Sequence, residues 1–132
     1  MKILNNIFLG KKILIYGLGK SGISSYNFLK NRSKVYLFDD NHKLNLKLNQ
    51  KIISLKEIQK INFDIIIISP GIDISNCKLS KFLKKNFQKI YTDLDVLFSF
   101  YNNESITITG TNGKSTTAKI LHDALIDQKR DS

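Results

Sequence analysis

The apolar positions of the chain fall into short β-rich runs separated by longer stretches with helical spacing. Residues 12–16 (KILIY) read as a strand. Residues 21–31, with Ile23, Tyr26, Phe28 and Leu29 forming a stripe, read as a helix. A second strand is predicted at 35–38, then a polar loop at 41–50, a short strand at 51–54 and a short helix at 55–60. The clearest strand is 64–69 (DIIIIS): four successive isoleucines leave no polar face, which predicts burial on both sides, as in a parallel sheet covered by helices. Pro70-Gly71 ends it. Beyond it the pattern predicts a helix at 77–86, with Leu79, Phe82 and Leu83 on one side, and a strand at 89–92. A helix at 93–100, a break at 101–103, a strand at 105–109 and a helix at 115–127 complete the reading. Strands alternating with helices imply right-handed crossovers and a parallel α/β sheet, whose ligands bind beyond the carboxyl ends of the strands.

Two of those strand ends carry glycine loops. After the first strand comes Gly17-Leu18-Gly19-Lys20-Ser21-Gly22, a G-x-G-x-x-G pattern between a strand and a helix. The first glycine permits the tight turn, the second lets backbone approach a phosphate, and the third lets the helix pack on the strand. The free N–H groups and the helix dipole then favour a diphosphate. Asp39, twenty residues beyond Gly19, ends the second strand where an acid can accept a hydrogen bond from a nucleoside, and the adjacent Asp40 can serve instead. The loop is compatible with NAD and with a UDP-sugar, which share a diphosphate and a ribose.

The second loop, Gly110-Thr111-Asn112-Gly113-Lys114-Ser115-Thr116-Thr117, follows the strand predicted at 105–109. Its Gly113-Lys114-Ser115 core is that of a P-loop, whose backbone N–H groups cradle phosphates while the lysine reaches the β/γ oxygens and the serine hydroxyl holds Mg²⁺. The eight-residue pattern asks for glycine five places before Gly113. Ile108 stands there, so this is a variant with its other glycine at Gly110. Lys114 is the one lysine whose position demands a chemical role.

Composition narrows the classes. The chain has 132 residues, 42% of them hydrophobic, enough for a core without staples. Cys77 is the one cysteine, so no internal disulfide forms and a reducing compartment fits. It reads as a small residue at a helix start. The net charge is +10, but arginine occurs only at Arg32 and Arg130 and the lysines are scattered, so a nucleic-acid partner is not expected. No apolar run approaches the ~20 residues of a membrane helix, and residues 1–9 lack the pattern of a signal peptide. A cytoplasmic protein without membrane insertion is expected. His42, in a polar loop, and His122, on the last helix, read as solvated or packing residues.

The two loops, in this order, resemble those of the Mur ligase family. Residues 110–116 resemble its ATP loop, including the missing earlier glycine. Ser69-Pro70-Gly71-Ile72 resembles its S-P-G-I turn after a buried strand. Residues 92–98 (TDLDVLF) resemble the segment that joins its first two domains, and Gly17 to Gly22 fits its D-glutamate-adding branch best. The resemblance runs from about residue 11 to 127 and covers the front of a three-domain architecture. It implies a Rossmann-like UDP-substrate-binding domain at 1–92. It also implies a linker and the first strand–P-loop–helix of a second α/β domain, a P-loop ATPase, at 93–132.

By that match Gly17, Leu18, Gly19, Lys20, Ser21 and Gly22 sit at the diphosphate, Asp39 and Asp40 near the uridine, and Ser69 and Gly71 near the substrate. Gly110, Thr111, Asn112, Gly113, Lys114, Ser115 and Thr116 bind ATP, Lys114 is catalytic and Ser115 holds Mg²⁺. The implied reaction belongs to peptidoglycan synthesis. ATP phosphorylates the carboxylate of UDP-N-acetylmuramoyl-L-alanine, D-glutamate attacks the acyl phosphate, and phosphate leaves. The full enzyme is expected to be a monomer, and residues 1–132 alone to be inactive. The competing readings are an NAD-binding Rossmann protein, a non-catalytic nucleotide-binding module, and another member of the same ligase superfamily.

Overall fold

The computed structural model describes residues 6–41, 52–101 and 104–130. The chain divides into two compact units, residues up to 102 and residues from 103 onward.

The first unit is built on a parallel sheet of β1 (Lys12–Tyr16), β2 (Lys34–Phe38), β3 (Ile65–Ile68) and β4 (Ile90–Tyr91), in the order β2-β1-β3-β4. Ile13 lies level with Val35 on one side and Ile65 on the other. Helices α1 (Lys20–Leu29), α2 (Leu55–Lys60), α3 (Ser80–Lys85) and α4 (Asp93–Phe100) and a 3₁₀ turn, Phe87–Lys89, make up the remainder. The chain leaves β1 through α1, reaches β2 on one flank, and then crosses to β3 on the other. The direction of winding therefore reverses at β1, and the crevice beyond the carboxyl ends of β1 and β3 is the place where such sheets bind ligands.

The pleat sends alternate residues into two cores. Ile13, Ile15, Ile65 and Ile67 pack with Tyr26 and Leu29 of α1 and Val96 of α4. Leu14, Tyr16, Ile66 and Ile68 pack on the opposite face with Ile58 of α2 and Leu83 of α3. None of the four isoleucines of β3 is more than 8% exposed, so the two-sided burial expected from their run is found. The helix α4 joins the first core through Val96 and sets the Phe100 ring edge-on to Phe28, centroids 4.9 Å apart.

Several boundaries differ from expectation. The helix expected at 77–86 begins only at Ser80, because the chain first winds about Asp73. The Asp73 carboxylate accepts from the Ser75 N–H (2.9 Å) and Asn76 Nδ2 (2.7 Å), and its carbonyl accepts from the Cys77 N–H (3.0 Å). Cys77 therefore stands in that turn and not at a helix start. Of the strand expected at 51–54, residue 51 lies outside the described residues and 52–54 show one parallel bridge, Ile52 to Leu37. Beyond Asn41, the loop expected at 41–50 and His42 within it lie outside the described residues.

In the second unit α5 spans Lys114–Arg130, longer than expected. The strand expected at 105–109 does not form, and with it the start of a second sheet is not seen. A strand exists only by pairing, since its backbone donors and acceptors need a neighbour. Among the described residues no strand pairs with this segment, and Ile106 is 66% exposed. Ile120, Leu125 and Ile126 of α5 are exposed as well. His122 is exposed beside Asp123, which also pairs with Lys119 one turn earlier at 3.5 Å. Among the described residues no helix is long and apolar enough to cross a membrane.

Candidate functional site

The first glycine loop joins β1 to α1 at the point where the sheet reverses. Gly17 holds φ +91°, a backbone conformation that costs an L-residue about 1–2 kcal/mol. Space forbids a side chain there too: a Cβ on Gly17 would lie 2.9 Å from the Cβ and Oγ of Ser69. Gly22 is constrained differently. Its helical backbone suits any residue, but a Cβ would stand 1.9 Å from the Gly17 carbonyl oxygen. The turn can be this tight only because α1 passes so close over it. At Gly19 and Gly71 an added Cβ meets nothing within 4 Å. Those two glycines border open space, as a backbone that a ligand approaches must.

The neighbouring strands lock this turn. The Ser69 hydroxyl, just past β3, donates to the Gly17 carbonyl at 2.7 Å, and the Gly17 N–H donates to the Phe38 carbonyl at 3.0 Å. Asp39 accepts the Leu18 N–H on Oδ2 (2.6 Å) and the Asn41 N–H on Oδ1 (2.8 Å). The acid at the end of β2 thus ties the loop after β1 to the loop after β2. Leu18 gives its side chain to the core and its N–H to Asp39. What remains at the rim are the N–H groups of the first turn of α1, at Lys20, Ser21 and Gly22, which have no intrahelical acceptor. Gly19 is the N-cap, no side chain caps it, and no acid lies in the first turn. By contrast, α2 and α4 begin with complete capping boxes, Ser54 with Glu57 and Thr92 with Asp95. The short helix α3 also starts without a side-chain cap, so what sets α1 apart is that its open start follows the glycine turn at the crevice. An anion suits them, because the helix dipole adds to the open N–H groups.

Asp40, one residue beyond Asp39, is half-buried and accepts the Tyr16 hydroxyl on Oδ1 at 2.9 Å. Lys78 donates to the Asp40 carbonyl at 2.6 Å. The structure brings Gly17 to Gly22, Asp39, Asp40 and Ser69 to one rim. Tyr16 and Lys78 also belong there, although only their partners were legible as site residues. A groove of about 290 Å³ between α1 and α4, lined by Phe28, Leu94, Val96 and Leu97 among others, touches none of these loop residues.

The second loop stands in its own unit. Gly110 and Gly113 hold φ +144° and +78°, and α5 starts at Lys114 directly after the loop. The Lys114 ammonium turns back over the loop, donating to the Gly110 carbonyl and lying 3.5 Å from that of Thr111. The Thr117 N–H closes the first helical turn on the Gly113 carbonyl at 2.9 Å. Thr111, Asn112, Ser115 and Thr116 are exposed around it. The loop thus presents one cation, hydroxyls and the N–H groups of a helix start, the donor set that a polyphosphate needs. Ser115 offers a single hydroxyl oxygen to a hard cation, and no group of three His, Cys, Asp or Glu side chains able to hold a metal occurs among the described residues.

Residues 11–90 match the family described as Mur ligase MurD-like, N-terminal domain. The UDP-N-acetylmuramoylalanine--D-glutamate ligase of Rickettsia felis is 39% identical over 118 residues, 84% of this chain and 26% of that protein. The proteins of the same name from Buchnera aphidicola subsp. Schizaphis graminum and Caldicellulosiruptor saccharolyticus are 37% and 33% identical, covering 86% and 88% of this chain and 27% and 28% of theirs. The chain spans about a quarter of the length of the curated relatives it matches. The chain belongs to the MurD-like Mur ligases, and the unit that carries the first glycine loop is their N-terminal domain.

Proposed function

We propose that the chain serves an ATP-dependent ligase that joins D-glutamate to UDP-N-acetylmuramoyl-L-alanine in peptidoglycan synthesis, with its first unit gripping the UDP end of that substrate. The observation that carries the reading is the uncapped start of α1 opening on the reversal point of the sheet, behind a turn closed by Ser69 and Asp39. The relatives, whose names specify this substrate and this amino acid, support it.

In this reading the first-turn N–H groups of α1, with Ser21, hold the diphosphate, and Asp39 and Asp40 flank the nucleoside. The second loop, Gly110 to Thr116, wraps the ATP phosphates. Lys114 leaves its carbonyl partners for the γ-phosphoryl group, whose charge it stabilises as the group passes to the substrate carboxylate. Ser115 would supply one oxygen to a Mg²⁺ bound with the nucleotide, and that ion would neutralise phosphate charge. The amine of D-glutamate then attacks the acyl phosphate, forming the amide as phosphate leaves. Residues 1–132 by themselves bind the first substrate without completing this reaction.

The NAD-binding reading accounts for the first loop but leaves the second loop, with Lys114 folded back on it, without a role. A thermal-shift comparison tests the choice. UDP-N-acetylmuramoyl-L-alanine should raise the midpoint and NADH should not, whereas stabilisation by NADH alone reverses the conclusion. A turnover assay with ATP and both substrates should yield no product from residues 1–132.

A further inference from the structure

The carboxyl ends of the strands carry the first glycine loop. The opposite, amino edge of the sheet carries a charged surface that has no part in that chemistry. Residues 74–92 hold five lysines and no acid. Two of these lysines are engaged by the fold. Lys78 donates to the Asp40 carbonyl, and Lys89 donates to Asn62 Oδ1 at 3.2 Å and to the Phe63 carbonyl at 2.9 Å. The other three, Lys81, Lys84 and Lys85 of α3, are exposed. Their i, i+3, i+4 spacing sets them on one face of the helix, while Leu83 is buried in the core. Lys60, at the end of α2, joins Lys81 and Lys85 around a groove that Phe63 and Phe82 also line. Positions scattered in sequence thus converge on one surface.

No acid answers them. Among the described residues none of Lys60, Lys81, Lys84 and Lys85 takes part in an ion pair. The acids flanking Lys60 serve the fold: Glu57 caps α2 at Ser54, and Asp64 accepts the Lys12 N–H at 2.8 Å. Helix dipoles account for part of the pattern, since Lys60, Lys84 and Lys85 lie in last turns. They do not account for Lys81, which stands in the first turn of α3, the end that disfavours a cation. Nor do they account for Phe87, which follows in the 3₁₀ turn and is 68% exposed. Lys89 ties that turn to the segment before β3. Because β3 and β4 run parallel, both lie at the amino edge, away from the crevice.

Unpaired lysines beside one exposed ring suit an anionic bilayer. The cations attract the headgroups and the ring enters the headgroup boundary. Single-stranded nucleic acid fits less well, because it stacks successive bases on several rings and only Phe87 is fully open here. We propose that the amino edge formed by Lys60, Lys81, Lys84, Lys85 and Phe87 docks the chain on the surface of an anionic phospholipid membrane. The contact is peripheral and leaves the α1 crevice open to solution.

Sedimentation of the 132-residue chain with vesicles tests this. Vesicles of equal parts phosphatidylcholine and phosphatidylglycerol should bind it, vesicles of phosphatidylcholine alone should not, and added salt should release it. The whole chain is basic, so a charge-matched comparison decides. Lys81→Gln/Lys84→Gln/Lys85→Gln should weaken binding on the order of a hundredfold, at roughly fivefold for each lysine. Lys11→Gln/Lys30→Gln/Lys119→Gln removes the same charge elsewhere and should weaken binding far less. All six positions are exposed, so both variants should melt like the unaltered chain. Equal losses in the two would mean unspecific attraction and overturn the proposal. The chain has no tryptophan, so Phe87→Trp supplies a lone reporter whose emission should move to the blue on anionic vesicles. Emission that keeps its solvent position while the protein sediments overturns the proposal. So does binding to a single-stranded oligonucleotide with none to the anionic vesicles.

Discussion

Gly17 and Gly113 both hold a left-handed backbone just ahead of a helix, at φ +91° and +78°, yet they are fixed by different means. Around Gly17 the shape comes from elsewhere in the chain: Ser69 is fifty-two residues away and Asp39 twenty-one residues from its partner Leu18. Around Gly113 the hydrogen bonds among the described residues are local, Lys114 to Gly110 and Thr117 to Gly113, each spanning four residues. The same kind of loop is a rigid part of a core in one unit and a self-contained turn in the other. A side chain added to the first should therefore damage the fold, and one added to the second should damage only the loop.

The sharpest way to break this comparison is Gly22→Ala. Its Cβ must move a backbone carbonyl, and a cost of about 3 kcal/mol or more is expected, read as a large fall in thermal midpoint. Gly19→Ala is its control. It borders open space and should cost less than about 1 kcal/mol, the ordinary penalty at an N-cap, while still weakening UDP binding. Gly113→Ala comes next. The strain of its positive φ is about 1–2 kcal/mol. It should appear as weakened ATP binding with the main melting transition and UDP affinity unmoved, and a collapse of the first unit's melting would contradict the independence of the two loops. Ser69→Ala removes one hydrogen bond across the crevice and should cost about 1 kcal/mol, measured by denaturant titration.

The smallest effect concerns Asp73. Hydrogen bonds from Asn76 and Ser75 hold its carboxyl below the usual aspartate value. A depressed value in the folded state means a contribution present above the ordinary carboxylate range and lost as pH falls through the depressed value. The group is exposed, so the effect on stability is slight. An NMR titration should place Asp73 below an unperturbed aspartate, and Asn76→Ala should move it back up.

How much of this was legible in the sequence follows the same division. The run DIIIIS announced a doubly covered strand because its missing alternation can mean little else, and the glycine spacing located the crevice. The tight turn at Gly17 and the close packing of the helix at Gly22 were likewise readable, since each follows from one residue type at one place. Pairings across distance were not. Sequence placed acids at 39 and 40 but could not show that one is consumed by backbone N–H groups while the other meets a buried tyrosine twenty-four residues away. The early start expected for α3 overlooked Asp73, whose turn-forming signature with Ser75 and Asn76 was available to be read. The missing strand at 105–109 marks a firmer boundary, because apolar alternation records a capacity to pair and the partner decides whether pairing occurs.

The shortness of β4 has a consequence of another kind. Four isoleucines in a row, uncharged and free of proline and glycine, are the kind of segment that stacks into cross-β fibrils when its edge is bare. In the folded chain β3 is shielded by β1 on one side and, on the other, by only the two residues Ile90–Tyr91. That stub is too short to template further strands itself, which is how edge strands avoid sheet-to-sheet association. Among the described residues it is the strand that covers this edge of β3. The hazard of aggregation is thereby concentrated in one brief hydrogen-bonded contact, far from the glycine loops in sequence and unrelated to their chemistry.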